Sequence, residues 1–273
     1  MKVFITGVTG FVGRNLAEAC ARAGRTVYPY LRGEHPSVPG DTDIIYHCAA
    51  EIYDEDKMFD SNVLLTHLLL EDAERLRKPP RFVYVGSTSE YGPVNQKAAE
   101  WMRADPTNKY EATKVAGTML TLGSRLDAVV ARPFSVYGRY EKAHRLIPAL
   151  VRAGLTHTPC KLSTGIHDFV YIDDFVDGLM MLGIAPIAHN IVNFCNGIEY
   201  TNHEVLALVE KELGTTIEYQ PIACKPHDAG ACREHWYGNN GVATVIYGWK
   251  PKYDIQAGIH AYASEEIARA LLP

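Results

Sequence analysis

No apolar run in this 273-residue chain approaches the roughly 20 residues that a membrane-spanning helix needs. The opening stretch Val3 to Ile5 is too short for the hydrophobic region of a secretion signal, so a cytoplasmic protein is expected. Six cysteines stand singly (Cys20, Cys48, Cys160, Cys195, Cys224 and Cys232), and none falls in a C-x-x-C pair. They read as reduced thiols of the core or loops. The 11 histidines show no ligand spacing such as H-x-x-x-H, so no metal site is expected. Basic charge is not in excess. Lys and Arg number 27 against 32 Asp and Glu, a net charge of −5, which argues against nucleic acid as a partner. Repeats, low-complexity tracts and linkers are missing too. What remains is the composition of an ordinary globular protein, 47% apolar and 22% charged, long enough for one large domain or two small ones.

The N-terminus carries the first informative pattern. Val3-Phe4-Ile5 reads as a buried strand, and Thr6-Gly7-Val8-Thr9-Gly10-Phe11-Val12-Gly13 follows with glycines spaced G-x-x-G-x-x-G. A helical pattern begins there. Glycine permits a tight turn and a close approach to a pyrophosphate, and the new helix offers free N–H groups and the positive end of its dipole. A strand, a glycine turn and a helix in this order suit a dinucleotide, although the spacing differs from the common G-x-G-x-x-G.

The second pattern is Tyr110-Glu111-Ala112-Thr113-Lys114. A tyrosine and a lysine four residues apart share one helix face. Many surface helices carry such a pair without consequence. Here it follows the strand pattern Phe82-Val83-Tyr84-Val85, which runs into Gly86-Ser87-Thr88-Ser89-Glu90-Tyr91-Gly92. Hydroxyls at a strand end can steady a reacting oxygen. A nearby ammonium is expected to lower the tyrosine pKa from about 10, so that Tyr110 can pass a proton to or from an alcohol oxygen.

Alternating elements point to an α/β protein with a doubly wound parallel sheet. Strands are expected at 2–6, 25–31, 43–48, 81–87 and 127–132. Helices are expected at 11–23, 61–77 and 107–125, with a loop-like stretch from Arg32 to Thr42. The remainder reads as a smaller mixed α/β lobe. It has a helix near 144–153, a strand near 169–172, a helix from Asp173, a capping box at Thr201 to Glu204 before a helix ending at Leu213, and a strand near 216–222. The division expected is a Rossmann domain over 1–160 and a substrate lobe over 161–273, partly interleaved.

The ordered set of motifs resembles the extended short-chain dehydrogenase/reductases, the nucleotide-sugar epimerase, dehydratase and reductase group. The likeness runs over nearly the whole chain. Asp43-Ile44-Ile45-Tyr46-His47-Cys48-Ala49-Ala50 looks like the strand whose small residues pass under the cofactor. Asn62-Val63 with Thr66 and Leu69-Leu70-Glu71 resembles the next helix. Arg132-Pro133-Phe134-Ser135-Val136-Tyr137-Gly138 resembles the strand beside the nicotinamide. His167 to Asp174 resembles the entry to the substrate lobe, and Tyr247-Gly248-Trp249-Lys250-Pro251 the C-terminal signature.

The resemblance implies a nicotinamide cofactor held by Gly7, Thr9, Gly10, Phe11, Val12, Gly13, Cys48, Ala49, Ala50, Tyr110, Lys114, Pro133 and Val136. It also implies a nucleoside-diphosphate sugar as substrate. Lys114 would lower the Tyr110 pKa and bond the nicotinamide ribose, while Thr88 or Ser87 holds the carbonyl oxygen. Strand phase favours Thr88. Many NAD-using relatives end the second strand with an acidic residue, whereas this chain has Leu31 and then Arg32, an arginine that can pair with a 2′-phosphate. NADP is therefore expected, with NAD as the alternative.

The segment Gly86 to Gly92 is similar, without a gap, to the G-S-S-E-E-Y-G of GDP-4-keto-6-deoxymannose reductases. Dehydratases carry S-T-S-E or S-T-D-E with one more residue before Tyr-Gly, and that reading would make Thr88 and Glu90 catalytic. Reduction of a 4-keto sugar is expected, and epimerase or dehydratase chemistry is the alternative. A non-catalytic, redox-sensing protein of the same fold would have no use for the Tyr110/Lys114 pair. Candidate substrate contacts are Ser89, Glu90, Ser135, Arg139, Arg145 and Arg233, arginine being suited to diphosphates. Relatives usually have asparagine at Ser135 and arginine at His167. They also have a further helix and strand between the second and third strands here. Helices 61–77 and 107–125 resemble those that pair in family homodimers, with Leu65, Leu68, Leu69, Met119 and Leu122 as a fitting face.

Overall fold

The computed structural model describes residues 1–31, 33, 36–223 and 235–270. The chain opens with β1 (Lys2–Thr6), α1 (Phe11–Arg22), β2 (Thr26–Tyr30) and β3 (Ile44–His47). Next come α2 (Glu55–Phe59), a π-helical turn (Asp60–Leu64), α3 (Leu65–Glu74) and β4 (Arg81–Val85). A 3-10 turn (Thr88–Tyr91), α4 (Lys109–Gly123), β5 (Ala128–Pro133), β6 (Ser135–Tyr137) and α5 (Leu146–Thr156) follow. The last part holds β7 (Cys160–Ser163), β8 (Ile166–His167), β9 (Phe169–Tyr171), α6 (Ile172–Leu182), β10 (Ile191–Phe194), β11 (Tyr200–Thr201), α7 (Asn202–Leu213), β12 (Tyr219–Ile222) and α8 (Ile255–Ala270).

Six strands form one parallel sheet in the order β10-β5-β4-β3-β1-β2. This is the Rossmann-type α/β fold. The strand order reverses at β1, between β2 and β3, and such a switch point opens a crevice at the strands' carboxyl ends. The strands read as apolar runs because both sheet faces are covered. Val3, Ile5, Ile44, Tyr46, Val83 and Val85 pack on the side of α1, α6 and α8. Phe4, Ile45, Phe82, Tyr84 and Val130 pack on the other side, under α3 and α4.

The expected division at residue 160 is crossed twice. Helix α6 packs on α1, and β10 pairs with β5 at the sheet edge. Strand β10 escaped the sequence reading because four residues, Ile191-Val192-Asn193-Phe194, carry too little periodicity. Helix α8 was missed as well; its glycine and polar residues blur the apolar stripe. The helix expected at 61–77 instead starts at Glu55, where the Asp54 side chain accepts from the Asp56 N–H, and ends at Glu74. The capping box at Thr201 and Glu204 forms as read.

Of the apolar residues assigned to a dimer face, Leu69 is fully buried, and Leu65 and Leu122 pack onto the chain's own core. Leu68 lines a cleft, whereas Met119 is exposed.

The glycine turn after β1 is tight enough to exclude side chains. Gly7 has φ +72°, and a Cβ there would come 2.9 Å from the Ala49 nitrogen. A Cβ on Gly13 would lie 2.2 Å from the Gly7 carbonyl oxygen, so α1 can approach β1 only with glycine at that point. Gly13→Ala is expected to destabilise the fold by about 1–3 kcal/mol, the usual range for overpacking, as read by thermal unfolding. An unchanged melting temperature would contradict this packing.

Candidate active site

A cleft of about 2000 Å³ runs along the carboxyl ends of β1 to β5 and under the loops of the smaller lobe. Gly7, Thr9, Gly10, Phe11, Val12 and Gly13 line one end, and Cys48, Ala49 and Ala50 line it after β3. Gly10 is the N-cap of α1 and no side chain caps that terminus, which leaves its N–H groups open to an anion. The loop after β3 is held by buried polar contacts. Thr6 Oγ1 lies 2.7 Å from His47 Nδ1 and accepts the Ala49 N–H at 3.0 Å, and His47 Nε2 lies 2.8 Å from Thr66 Oγ1. Asn62 bonds both backbone groups of Glu51 and donates to Thr113 Oγ1 on α4 at 2.9 Å. The cradle that a Cβ would fill and the open helix end fit a dinucleotide. Pro133 and Val136 line the same cleft further along. Arg32 lies outside the described residues.

Strand β4 ends at Val85, and the chain turns at Ser87 into the 3-10 segment. Ser87 caps that turn. Its Oγ accepts the Ser89 N–H at 3.1 Å and lies 2.7 Å from Ser89 Oγ. Its hydroxyl also lies close enough to Tyr110 to oppose the rise in its pKa, and Tyr110 lines the cleft from the first turn of α4. Thr88 is buried and lines the cleft as well. Strand alternation does not extend past Gly86, so the phase argument for Thr88 fails; the hydroxyl that meets Tyr110 is Ser87. Asn108 caps α4 by accepting the Glu111 N–H at 2.9 Å, which fixes the turn carrying Tyr110.

The expected effect of Lys114 on Tyr110 is corrected. Burial raises the Tyr110 pKa to about 12, and Ser87 only partly opposes it. Lys114 spends its Nζ on the Val85 carbonyl at 2.6 Å and stands 4.4 Å from the Tyr84 ring centroid. Burial lowers its own pKa to about 8.

Two more assignments change. Glu90 is fully buried and does not line the cleft; it is ion-paired with Arg132 at 2.8 Å. Arg139 is also outside the cleft lining. It bridges Asp173 at 2.6 Å and Glu265 at 2.8 Å, tying α6 to α8. Ser89 lines the cleft beside Ser87. Ser135 Oγ meets His167 Nδ1 at 3.0 Å, and both residues line the cleft. Burial, with Arg145 nearby, lowers the His167 pKa to about 3, so its ring is neutral. Asp168 accepts three backbone N–H groups, from Asn196, Gly197 and Gly238, and anchors the loops behind His167. Arg145 lines the cleft, as do other cations that sequence reasoning passed over, among them Lys142, Arg152 and Lys161. Arg152 follows Arg145 by seven residues, two helical turns, and that spacing was the available signal. Arg233 lies outside the described residues. Among the described residues, no cluster of three or more His, Cys, Asp or Glu could hold a metal ion.

A doubly wound sheet, a glycine turn and a Tyr/Lys helix at one cleft define a nicotinamide-nucleotide enzyme of the extended short-chain dehydrogenase/reductase group. The NAD dependent epimerase/dehydratase family matches residues 3–192, and the chain belongs to that family of NAD(P)-dependent enzymes. It is 25% identical over 298 residues to dTDP-6-deoxy-L-talose 4-dehydrogenase (NAD(P)(+)) of Kitasatospora kifunensis, covering 94% of this chain and 93% of the relative. It is 26% identical over 300 residues to GDP-6-deoxy-D-mannose reductase of Pseudomonas aeruginosa, covering 97% and 96%. Its fold matches RMD from Pseudomonas aeruginosa complexed with NADPH, with a TM-score of 0.84, 22% identity, and 98% and 99% of the two chains covered.

One cleft residue links pH to stability. Glu141 keeps 8% of its side chain exposed, and Arg145 Nε lies 3.4 Å from its Oε1. Burial outweighs that arginine and raises the Glu141 pKa to about 7. Below about pH 4.5 both folded and unfolded states hold this proton. Between there and pH 7 the unfolded chain releases it first, so folding weakens as pH rises. Glu141→Gln should match the wild type in acid and exceed it at pH 8 by on the order of 2 kcal/mol. Thermal melts at both pH values test this, and equal differences at the two would contradict it.

Proposed function

We propose that this protein reduces a 4-keto group on a nucleoside-diphosphate deoxysugar, using NADPH, with NADH as the alternative. The observation that carries the reading is the content of the turn after β4. It presents hydroxyls to Tyr110, while its one carboxylate, Glu90, is turned under the cleft and paired with Arg132. Eliminating water from a sugar calls for an acid and a base at the reacting carbons, and this turn offers neither. Reduction needs only a proton donor and a hydroxyl that steadies the carbonyl oxygen. Relatives named as a reductase and a 4-dehydrogenase fit this choice, and others are named as dehydratases and an epimerase.

In this reading the residues Gly7 to Gly13 and Cys48 to Ala50 hold the dinucleotide, with Pro133 and Val136 beside the nicotinamide. Bound NADPH supplies the hydride. Tyr110, whose raised pKa keeps it protonated at neutral pH, gives its proton to the sugar oxygen, and Ser87 hydrogen-bonds that oxygen from the turn. Thr88 and Ser89 face the sugar. Lys114 adds positive charge beside the cofactor ribose. Arg145, with Arg152 and Lys161 further along the wall, meets the diphosphate. The preference for NADP rests on the sequence alone, on an arginine at position 32 where many NAD-using relatives are acidic.

The test is NADPH oxidation with GDP-4-keto-6-deoxymannose and with a dTDP-4-keto-6-deoxy sugar. Tyr110→Phe should lose ~10²–10⁴-fold in kcat, the usual worth of a general acid, and bind NADPH as the wild type does. Full turnover in that variant refutes the role of Tyr110. Epimerised sugar released without net NADPH consumption refutes the reductase.

We further infer a homodimer. Val63, Ala116, Met119, Leu120 and Gly123 line a shallow apolar depression between the π-helical turn and α4, with Met119 exposed. That face suits a second copy of itself. Sedimentation should give twice the chain mass, and Met119→Glu should halve it; a monomeric wild type removes the inference.

A further inference from the structure

Glu90 sits where three elements meet, behind the cleft wall and not in its lining. Its Oε1 accepts the Ser87 N–H at 2.8 Å, which holds the hydroxyl turn. Its Oε2 accepts from Thr118 Oγ1 at 2.8 Å, on the helix that carries Tyr110 and Lys114. The same oxygen accepts from Arg132 at 2.8 and 3.2 Å, on the strand that leads to Pro133 and Ser135. Its backbone carbonyl accepts the Asp105 N–H at 3.0 Å, ahead of α4. Arg132 in turn lies 4.6 Å from the centroid of the Tyr91 ring. A carboxylate is costly to bury unless it is paired and fully hydrogen-bonded, and here it is both. Gly86 lets it fit, since a Cβ at that position would come within 2.6 Å of Oε1.

The charge matters as well as the bonds. Lys114 is buried against neutral neighbours. Burial lowers the His47 pKa to about 3, raises Cys48 to about 12 and lifts Tyr84 well above 10. Among the described residues acting on Lys114, Glu90 is the anion that opposes its loss of charge by burial. On Tyr110 the same charge, and that of Tyr53 more weakly, adds to burial in keeping the phenol protonated, against Ser87 and Arg145.

We propose that Glu90 is a positioning residue: paired with Arg132, it locks the Ser87 turn to the Tyr110/Lys114 helix and sets its carboxylate on the Ser87 N–H, two residues along the chain from the Val85 carbonyl that holds Lys114. This rests on the reductase reading for its catalytic half, whereas its electrostatic half needs only cofactor binding.

Glu90→Gln keeps the size and an acceptor for Ser87 but removes the charge. NADPH binding, followed by nicotinamide fluorescence, should weaken as pH rises and Lys114 loses its proton. In Glu90→Gln that weakening should begin about one pH unit lower, the scale of one nearby charge. A folded variant whose binding follows the wild-type pH curve overturns the electrostatic role. Glu90→Gln with Arg132→Met removes both partners, leaves no unpaired buried charge and should show the same shift, so it carries the test where the single variant does not fold. Thr118→Val cuts the tie to α4 and leaves the charge. It should lower kcat with GDP-4-keto-6-deoxymannose roughly 10–100-fold at unchanged KM, the scale of a small misplacement, with the binding curve in place. Wild-type kcat in Thr118→Val overturns the positioning role. Tyr110→Phe serves as the control: if it retains turnover the role given to Tyr110 fails, if the wild type releases epimerised sugar without net NADPH consumption the reductase reading fails, and in either case the binding curve still decides for or against Glu90.

Discussion

A carboxylate that never reaches the cleft organises what the cleft contains. Glu90 draws its partners from its own turn after β4, from α4 28 residues along the chain and from β5 42 residues along. Each of them places a different kind of group at one wall: a hydroxyl, a phenol and an ammonium, and the apolar residues that follow β5. Pairing with Arg132 allows that charge to be buried. The same arrangement explains why the turn is polar yet shielded. Its hydroxyls point outward, and its acid points into a nest of donors.

The protonation states follow from burial more than from proximity. A lysine one helical turn from a tyrosine suggests a depressed phenol pKa, yet distance along a helix does not fix where an ammonium points. Lys114 reaches the Val85 carbonyl and leaves Tyr110 to the influence of burial and of Ser87. The result favours Tyr110 as a proton donor over a proton acceptor. Donation is what reduction of a ketone asks of it, whereas a base for alcohol oxidation would need the phenolate.

The features legible in the sequence were those that depend on local chemistry. The glycine turn could be read because backbone crowding at Gly7 and Gly13 leaves no room for a Cβ. The capping box at Thr201 and Glu204 could be read because both bonds close within four residues. The core strands announced themselves as apolar runs. Long-range pairing was not legible. Arg139 had the residue type of a diphosphate ligand, but its partners Asp173 and Glu265 lie 34 and 126 residues away. Strand β10 is defined by its neighbour β5 and hardly by its own four residues. Leu65, Leu69 and Leu122 fitted a dimer face and the inner core equally well by pattern, and only the packing assigned them to the core.

A net charge of −5 would seem unfavourable for a dianionic diphosphate, but the charge is not evenly spread. Lys142, Arg145, Arg152 and Lys161 line the cleft, and Arg145 stands near both Tyr110 and His167. The cleft's own acid there, Glu141, is held by burial near the edge of ionisation at neutral pH, so it cancels less of that positive field than its formula implies. His167 is neutral for the same reason and adds no charge. Selectivity at this wall therefore falls to arginine, whose charge burial cannot remove, and the reacting end is left to groups that hold or release single protons. A substrate with a diphosphate at one end and an uncharged ketone at the other matches that division.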